Sequence, residues 1–337
     1  MDITVECIVS ATDLPPDKAA ALRDLIIQPR RPWFSAAERA YLDGAIEGRW
    51  AEVALNHFST AWLNGEPVGN VTVSTARAAP QIGLLSFVFT RPDQRGRGIA
   101  ATLMRDAVTR FRAAGGECLH LGTENPSARR IYAGCGFHDY NGHIMRYLAS
   151  GDSDREFDQA YFASAGSAAV RPGHWGDLAR IGYLYAAPHP WLIKDYTERL
   201  YRSPDVEQAR VGSILPSMMV NASERHGALW VLENAAGRVV GAATVTRLDQ
   251  TAQRHAPLLD FLVAPGYVGQ AGELVQRAID GLRGTDVEHV CAYLASCDGQ
   301  KVEILRSAGF ERVARLPRQL SVNDHHYDLE IYVRPVQ

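Results

Sequence analysis

The sequence predicts an α+β protein made of two similar bodies in tandem, each a mixed, mostly antiparallel sheet flanked by helices. Three observations predict it. A run of strand formers, Gly83–Thr90, passes through a glycine-rich turn into helically spaced apolar residues from Ala101 to Val108. The other strand and helix patterns of the first half follow one another without a strict strand–helix alternation, as in a fold built around one sheet. The second half then repeats the first. Gly65-x-x-Val68-Gly69-x-x-Thr72-Val73 recurs 172 residues later as Gly237-x-x-Val240-Gly241-x-x-Thr244-Val245, and the span from Pro92 to Gly136-Phe137 recurs 173 residues later as Pro265 to Gly309-Phe310.

Taken in order, Ile3–Ser10 alternates as a strand, and Leu14-Pro15-Pro16 is a turn. Ala19–Ile27 and Ala36–Ile46 have helical spacing. Leu55–Leu63 and Pro67–Ser74 read as strands joined by the hairpin signal Asn64-Gly65-Glu66. Ala113-Ala114-Gly115-Gly116 stops the long helix, Cys118–Leu121 is a short apolar strand, and His143–Leu148 closes the sheet. Residues 1–150 are thus expected to form the first domain. The polar stretch 149–156 is the best linker candidate, and 151–167 is assigned as linker, with Phe157–Ala169 left without a secondary-structure assignment. Residues 168–337 form the second domain, opening on a strand and a helix in Val170–Leu178.

Composition narrows the function. Of 337 residues 46% are hydrophobic and 22% charged, a globular balance rather than a disordered one. A net charge of −3 offers no basic face for nucleic acid. No apolar run approaches a membrane span, and Met1–Glu6 lacks the charge and core of a leader peptide. The cysteines (Cys7, Cys118, Cys135, Cys291, Cys297) are odd in number and scattered, with no metal-ligand spacing. The expectation is a cytoplasmic protein with reduced thiols, no metal, and a monomeric or homodimeric state.

The chemistry concentrates around Pro92-Asp93-Gln94-Arg95-Gly96-Arg97-Gly98-Ile99-Ala100. A helix start offers unspent backbone N–H groups and the positive end of its dipole, glycines let an anion come close, and arginines add charge, so this turn suits a phosphate or pyrophosphate. It is neither a Walker loop nor G-x-G-x-x-G. A second stretch, Asn125 to Phe137, opens with a capping Asn-Pro, runs through a short helix and stops at Gly136. Arg95-x-x-Gly98-x-Ala100, followed by Asn125, Tyr132 and Gly136-Phe137, resembles the acyl-CoA signature of the GNAT superfamily of N-acetyltransferases.

The resemblance implies two GNAT-like domains and assigns roles in the first. Arg95, Gly96, Arg97, Gly98, Ile99, Ala100 and Ala101 would cradle the CoA pyrophosphate. Val88, Phe89 and Thr90 would offer a splayed strand edge to the pantetheine amides, one N–H there holding the oxyanion. Asn125 would cap its helix and touch the pantetheine arm. Tyr132 would protonate the departing thiolate, since a phenol of pKa about 10 can supply a proton to a thiolate of about 8.5 or higher. The family's usual glutamate base is missing: Ser86 and His120 stand at its two common positions. His120 becomes the candidate base, directly or through water, against the alternative of a satisfied core histidine. Glu124 and His57 are weaker candidates. Cys135 reads as a small buried residue. His325-His326 reads as exposed loop, and Trp191 and Tyr196 as cleft lining or a packed aromatic cluster.

The second copy departs where chemistry would be. Arg95, Gly98 and Ala100 align with Val268, Ala271 and Glu273, Asn125 with Asp298, and Tyr132 with Leu305. A carboxylate at a helix start repels an anion and leucine has no proton to give, so the second copy keeps the fold and a structural or cleft-walling role. The expected activity is transfer of an acetyl group from acetyl-CoA to a primary amine of a small molecule, by direct attack in a ternary complex. The alternatives are a protein N-terminus or lysine as acceptor, or a non-catalytic acyl-CoA sensor or scaffold.

Overall fold

The computed structural model describes residues 3–9, 14–28, 34–163, 166–189, 191–195, 200–202, 214–247, 253–322 and 324–336. Packing divides it into two compact units. The first holds residues 1–154, 174–183 and 209–216, and the second the remainder.

The first unit contains β1 (Thr4–Val9), α1 (Pro16–Ile27), α2 (Ala36–Ile46), β2 (Ala54–Leu63), β3 (Glu66–Ala76), β4 (Ile82–Thr90), α3 (Ile99–Ala113), β5 (Cys118–Gly122), α4 (Pro126–Ala133), β6 (His138–Asn141) and β7 (Ile144–Leu148). α1 starts with proline in its first turn, where a missing N–H costs nothing, and Ser35 begins α2 with a reciprocal capping box to Glu38. The β2–β3 hairpin turns on Asn64 and Gly65, at φ 54° and 83°, the left-handed pair that matches strand twist. β6, a short polar strand partly exposed to solvent, has no apolar alternation to announce it in the sequence.

These strands form one seven-stranded sheet in the order β1-β2-β3-β4-β5-β7-β6. Every pairing is antiparallel except β4 with β5. One face is apolar: Val71, Val73, Leu85, Leu119, Leu121 and Met145 bury against Leu103, Met104, Ala107 and Phe111 of α3. Strand alternation puts a polar row on the opposite face, where Asn56, Thr60, Asn70, Thr72 and Ser74 are all buried. They are satisfied there, with Tyr41 donating its hydroxyl to Asn56 Oδ1 at 2.6 Å and Ser74 reaching the same oxygen at 2.8 Å. Trp175 stacks on Trp50 and Tyr41 at ring separations of 4.7 and 5.5 Å, fastening residues 174–183 to this unit.

Further along come α5 (Asp154–Tyr161), β8 (Ala168–Pro172), α6 (Leu178–Ala186), β9 (Ile193–Asp195), β10 (Leu200–Arg202), α7 (Ile214–Glu224), β11 (Ala228–Asn234), β12 (Val239–Thr246), β13 (Leu258–Val263), α8 (Ala271–Asp280), β14 (His289–Ala295), α9 (Gly299–Ser307), β15 (Glu311–Val322) and β16 (His325–Pro335). The second sheet runs β8-β11-β12-β13-β14-β16-β15, and its one parallel pair is β13–β14. Strand for strand this is the order of the first sheet, as the repeated sequence requires.

Three stretches that the sequence reading left open or placed in part stand as follows. Phe157–Ala169 holds the end of α5 and the start of β8, and α5 buries Phe157 and Tyr161 on one face. His325 and His326 are exposed, as expected, but begin strand β16 rather than lying in a loop. Trp191 is buried, and Tyr196 lies outside the described residues.

Candidate functional site

β4 ends at Thr90, and a single 3-10 turn, Pro92–Gln94, leads to Arg95. Gly96 and Gly98 then take φ of 78° and 75°, a left-handed backbone that a side chain would strain. Gly98 is the N-cap of α3 and supplies no side chain, no acidic residue stands in the first turn, and the helix ladder opens with Thr102 N–H donating to the Gly98 carbonyl at 3.0 Å. The helix start therefore faces solvent through its amides, with Arg95 and Arg97 exposed beside it. Asp93, the turn's own carboxylate, is tied down: Gln94 and Arg91 donate to it, and those bonds hold its carboxyl below the usual range.

Before the turn, two strands part. β4 pairs with β5 through Ile82–Cys118, Gly83–Leu119 and Leu84–His120, and the ladder ends there although β4 runs on to Thr90. On its other edge β4 bulges. Asn70 opposes Phe89 and Thr72 opposes Ser86, so Phe87 and Val88 together face Val71, with Phe87 at φ 50°. Along this stretch the Ser86 Oγ and Thr90 Oγ1 atoms are buried and have no hydrogen-bond partner among the described residues. A ladder that stops early, two orphaned hydroxyls and an uncapped helix start suit an extended amide-bearing chain ending in a pyrophosphate. A cavity of about 620 Å³ lies beside the turn, lined by Leu25 and Asp24 of α1, Glu66 and Pro67 of β3, and Phe89, Arg91 and Pro92.

Asn125 is the N-cap of α4, its side-chain oxygen accepting from the Ser127 and Ala128 amides at 2.9 and 3.3 Å. Tyr132, on the last turn of α4, is 6% exposed and shares the apolar cluster on the α3 face with Ile99, Phe137 and Val88. His120 alternates with Leu119 and Leu121 and so leaves β5 from the opposite face. It is fully buried, with Nε2 3.0 Å from the Ala179 carbonyl. A carbonyl can only accept, which puts the ring proton on Nε2 in the neutral tautomer. The remaining candidates scatter. Glu124 is exposed, 3.8 Å from His143. His57 sits on the α3 side, where burial, then the nearby Arg110, lower its pKa. Cys135 approaches the Ala101 carbonyl at 4.0 Å, and burial raises its thiol pKa.

The second unit has the same parting of strands but fills it from within. β13 pairs with β14 only at Leu258–Cys291 and Leu259–Ala292. Trp191 packs edge-on against Phe261 of β13 at 5.6 Å, and Leu192 packs on Ala295 at the end of β14. Leu192 N–H donates to the Asp298 carboxylate at 3.1 Å, and Trp191 Nε1 donates to Gln300 at 3.0 Å. Behind them Lys301 and Asp260 form a buried ion pair at 2.5 Å. The turn before α8 has no left-handed glycine: Gln270 caps at φ −99°, its side chain holds both backbone groups of Ala168, and Glu273 occupies the first turn.

Sequence reasoning missed Asn70, whose side chain donates to the Phe87 carbonyl at 3.1 Å, because nothing in its spacing marks it. It missed the Trp191–Leu192 insertion too, since no local pattern pairs those residues with strands seventy and a hundred positions away.

The model of the acetyltransferase (GNAT) family matches residues 19–137, a stretch that spans the bulged strand, the glycine turn and Tyr132. The enzyme class this family supports is an acyltransferase of the N-acetyltransferase type. Among solved structures, a phosphinothricin acetyltransferase of Sinorhizobium meliloti in complex with acetyl-CoA is 16% identical, covering 51% of this chain and 89% of its own, with a TM-score of 0.43. An N-acetyltransferase of Staphylococcus aureus is 18% identical over 51% of this chain and 100% of its own, with a TM-score of 0.41. A spermidine N-acetyltransferase of Vibrio cholerae, in complex with CoA and spermine, is 17% identical over 50% and 96%, with a TM-score of 0.40. No curated protein matches the chain.

Proposed function

We propose that the first unit transfers an acetyl group from acetyl-CoA to a primary amine of a small molecule, the amine attacking the thioester directly. The observation that carries this reading is the parting of β4 from β5 after Leu84, leading straight to an uncapped helix start with two left-handed glycines. In this reading the amides from Gly98 to Ala101, with Arg95 and Arg97, hold the pyrophosphate, and the edge from Val88 to Thr90 and Asn125 align the pantetheine arm. Acetyl-CoA supplies the activated acyl group.

Tyr132, on α4, packs on the α3 face of the sheet, and His120 leaves β5 on the opposite face. A thioester threaded between the parted strands then has the phenol on the thiol's side and the imidazole on the amine's side. Tyr132 gives its proton to the departing sulfur. His120, with its ring proton on Nε2, takes the ammonium proton at Nδ1, directly or through a water. A backbone N–H of the bulged strand holds the oxyanion. The second unit, its gap filled by Trp191 and Leu192, takes no acyl-CoA.

The test is release of CoA thiol from acetyl-CoA against a panel of small amines, N-terminal peptides and lysine peptides. Acceptor-dependent release with a small amine, and one cofactor bound per chain, supports the reading. Release only with peptides would move the acceptor class, and binding without any release would make this a sensor rather than an enzyme.

A further inference from the structure

We propose that Asn70 is a positioning residue for acyl transfer: its side-chain amide holds the Phe87 carbonyl and so aims the 87–88 peptide of the β4 bulge at the gap left by β5. The proposal rests on the acyl-transfer reading above. Asn70 lies in the middle of β3, is 0% exposed and is fully engaged. Its amide nitrogen donates to Thr72 Oγ1 at 2.9 Å and to the Phe87 carbonyl at 3.1 Å, and its oxygen accepts from Thr60 at 3.1 Å. An asparagine amide has two donor hydrogens, and this one spends both inside the sheet's polar face.

Phe87 and Val88 are the two residues that the bulge takes out of register with β3. Phe87 sits at φ 50°, a backbone state disfavoured for any residue with a β-carbon and kept only where the surroundings fix it. The 87–88 peptide bond is trans, so its N–H points opposite to its carbonyl. With the carbonyl drawn toward β3 by Asn70, the Val88 N–H is directed away from β3, to the edge of β4 that β5 no longer covers beyond Leu84. Asn70 does not touch the reacting atoms; it sets the direction of a peptide dipole that does. The two hydroxyls bonded to it hold the amide plane, so that a rotated side chain would lose three bonds together.

The experiment compares Asn70→Asp, which keeps the shape and the bond from Thr60 but loses the donor to Phe87, with Thr60→Val, which removes a buried bond to Asn70 and leaves that donor in place. With saturating amine, Asn70→Asp is expected to lower kcat about 100-fold with the KM for acetyl-CoA within about threefold, while Thr60→Val keeps most of the rate. With 1-13C-acetyl-CoA bound, the thioester carbonyl stretch should lie closer to its position in water in Asn70→Asp than in wild type, a signature that a loss of stability alone does not produce. Asn70→Ser, smaller and neutral, gives the same two readouts should the aspartate variant not fold. Wild-type kcat and an unmoved carbonyl band in either Asn70 variant overturn the proposal while the acyl-transfer reading stands. An inactive wild type with every amine overturns that reading, and an unshifted carbonyl band in its bound acetyl-CoA then overturns this proposal as well.

Discussion

Two glycines at the two ends of α3 make a matched pair. Gly98 precedes the helix at φ 75° and Gly115 follows it at φ 84°, and a β-carbon built on either meets nothing within 4 Å. Alanine at each position therefore costs the same thing, a left-handed backbone on an L-residue, about 1 kcal/mol. For a body of this size that lowers the melting midpoint by about 2–4 °C. The two differ in what the new methyl faces. At Gly115 it faces solvent at a helix end where no ligand is expected. At Gly98 it stands before the amides that open the helix, in the space assigned to the pyrophosphate. Displacing that group by one charge-assisted hydrogen bond loses about 2 kcal/mol, roughly a 30-fold weaker Kd for acetyl-CoA. Calorimetric titration with acetyl-CoA, paired with thermal melts, separates the effects. Gly98→Ala and Gly115→Ala should melt alike and bind differently. Equal affinities in the two variants would refute the assignment of the anion site, whatever happened to stability.

Other outcomes follow from the same geometry. Tyr132→Phe should lower turnover by about 100-fold or more with little change in the KM for acetyl-CoA, and equal rates would remove the phenol from the mechanism. Lys301→Met strands a buried carboxylate and should cost about 3–5 kcal/mol in urea denaturation, whereas Lys301→Met combined with Asp260→Leu should fall within about 2 kcal/mol of wild type. Burial, partly offset by Lys301, raises the Asp298 carboxyl from 3.8 to about 6. Between those pH values the folded chain keeps a proton that the unfolded chain has lost, so this group's contribution to stability declines as pH rises from about 4 to about 6, by ~3 kcal/mol at most. Asp298→Asn should flatten that part of the pH–stability curve, and an unchanged slope would show that the titration belongs elsewhere.

Most of the first sheet was legible because its strands carry their own local signals: the Asn64-Gly65 hairpin, the apolar run into the glycine turn, the Asn125 cap. The repeat made the second sheet legible by transfer. What escaped the sequence depends on contacts between distant residues. Phe87 is an ordinary strand former, and its positive φ goes with contacts from distant residues, among them the bond from Asn70 seventeen positions away. His120 matched a motif position, yet its surroundings are set by Ala179, which packs there from beyond the expected linker. The buried Lys301–Asp260 pair joins α9 to β13, and no periodicity links a lysine on a helix to an aspartate forty-one residues earlier. β6 is polar and short, so tertiary pairing with β7 alone defines it.

The filled gap of the second unit has a bearing on how such a chain evolves. Strands that part leave backbone groups that something has to cover, and in the second unit Trp191 and Leu192 of the same polypeptide pack against the two parted strands. The Asp298 carboxylate accepts from the Leu192 amide and so helps hold the pair there. Glycine at 271 and tyrosine at 305 would copy the first half's signature without moving Trp191 or Leu192. On the function proposed above, an acyl-CoA site in that half would need those two side chains displaced as well as the signature restored, so changes in the motif alone are expected not to create one.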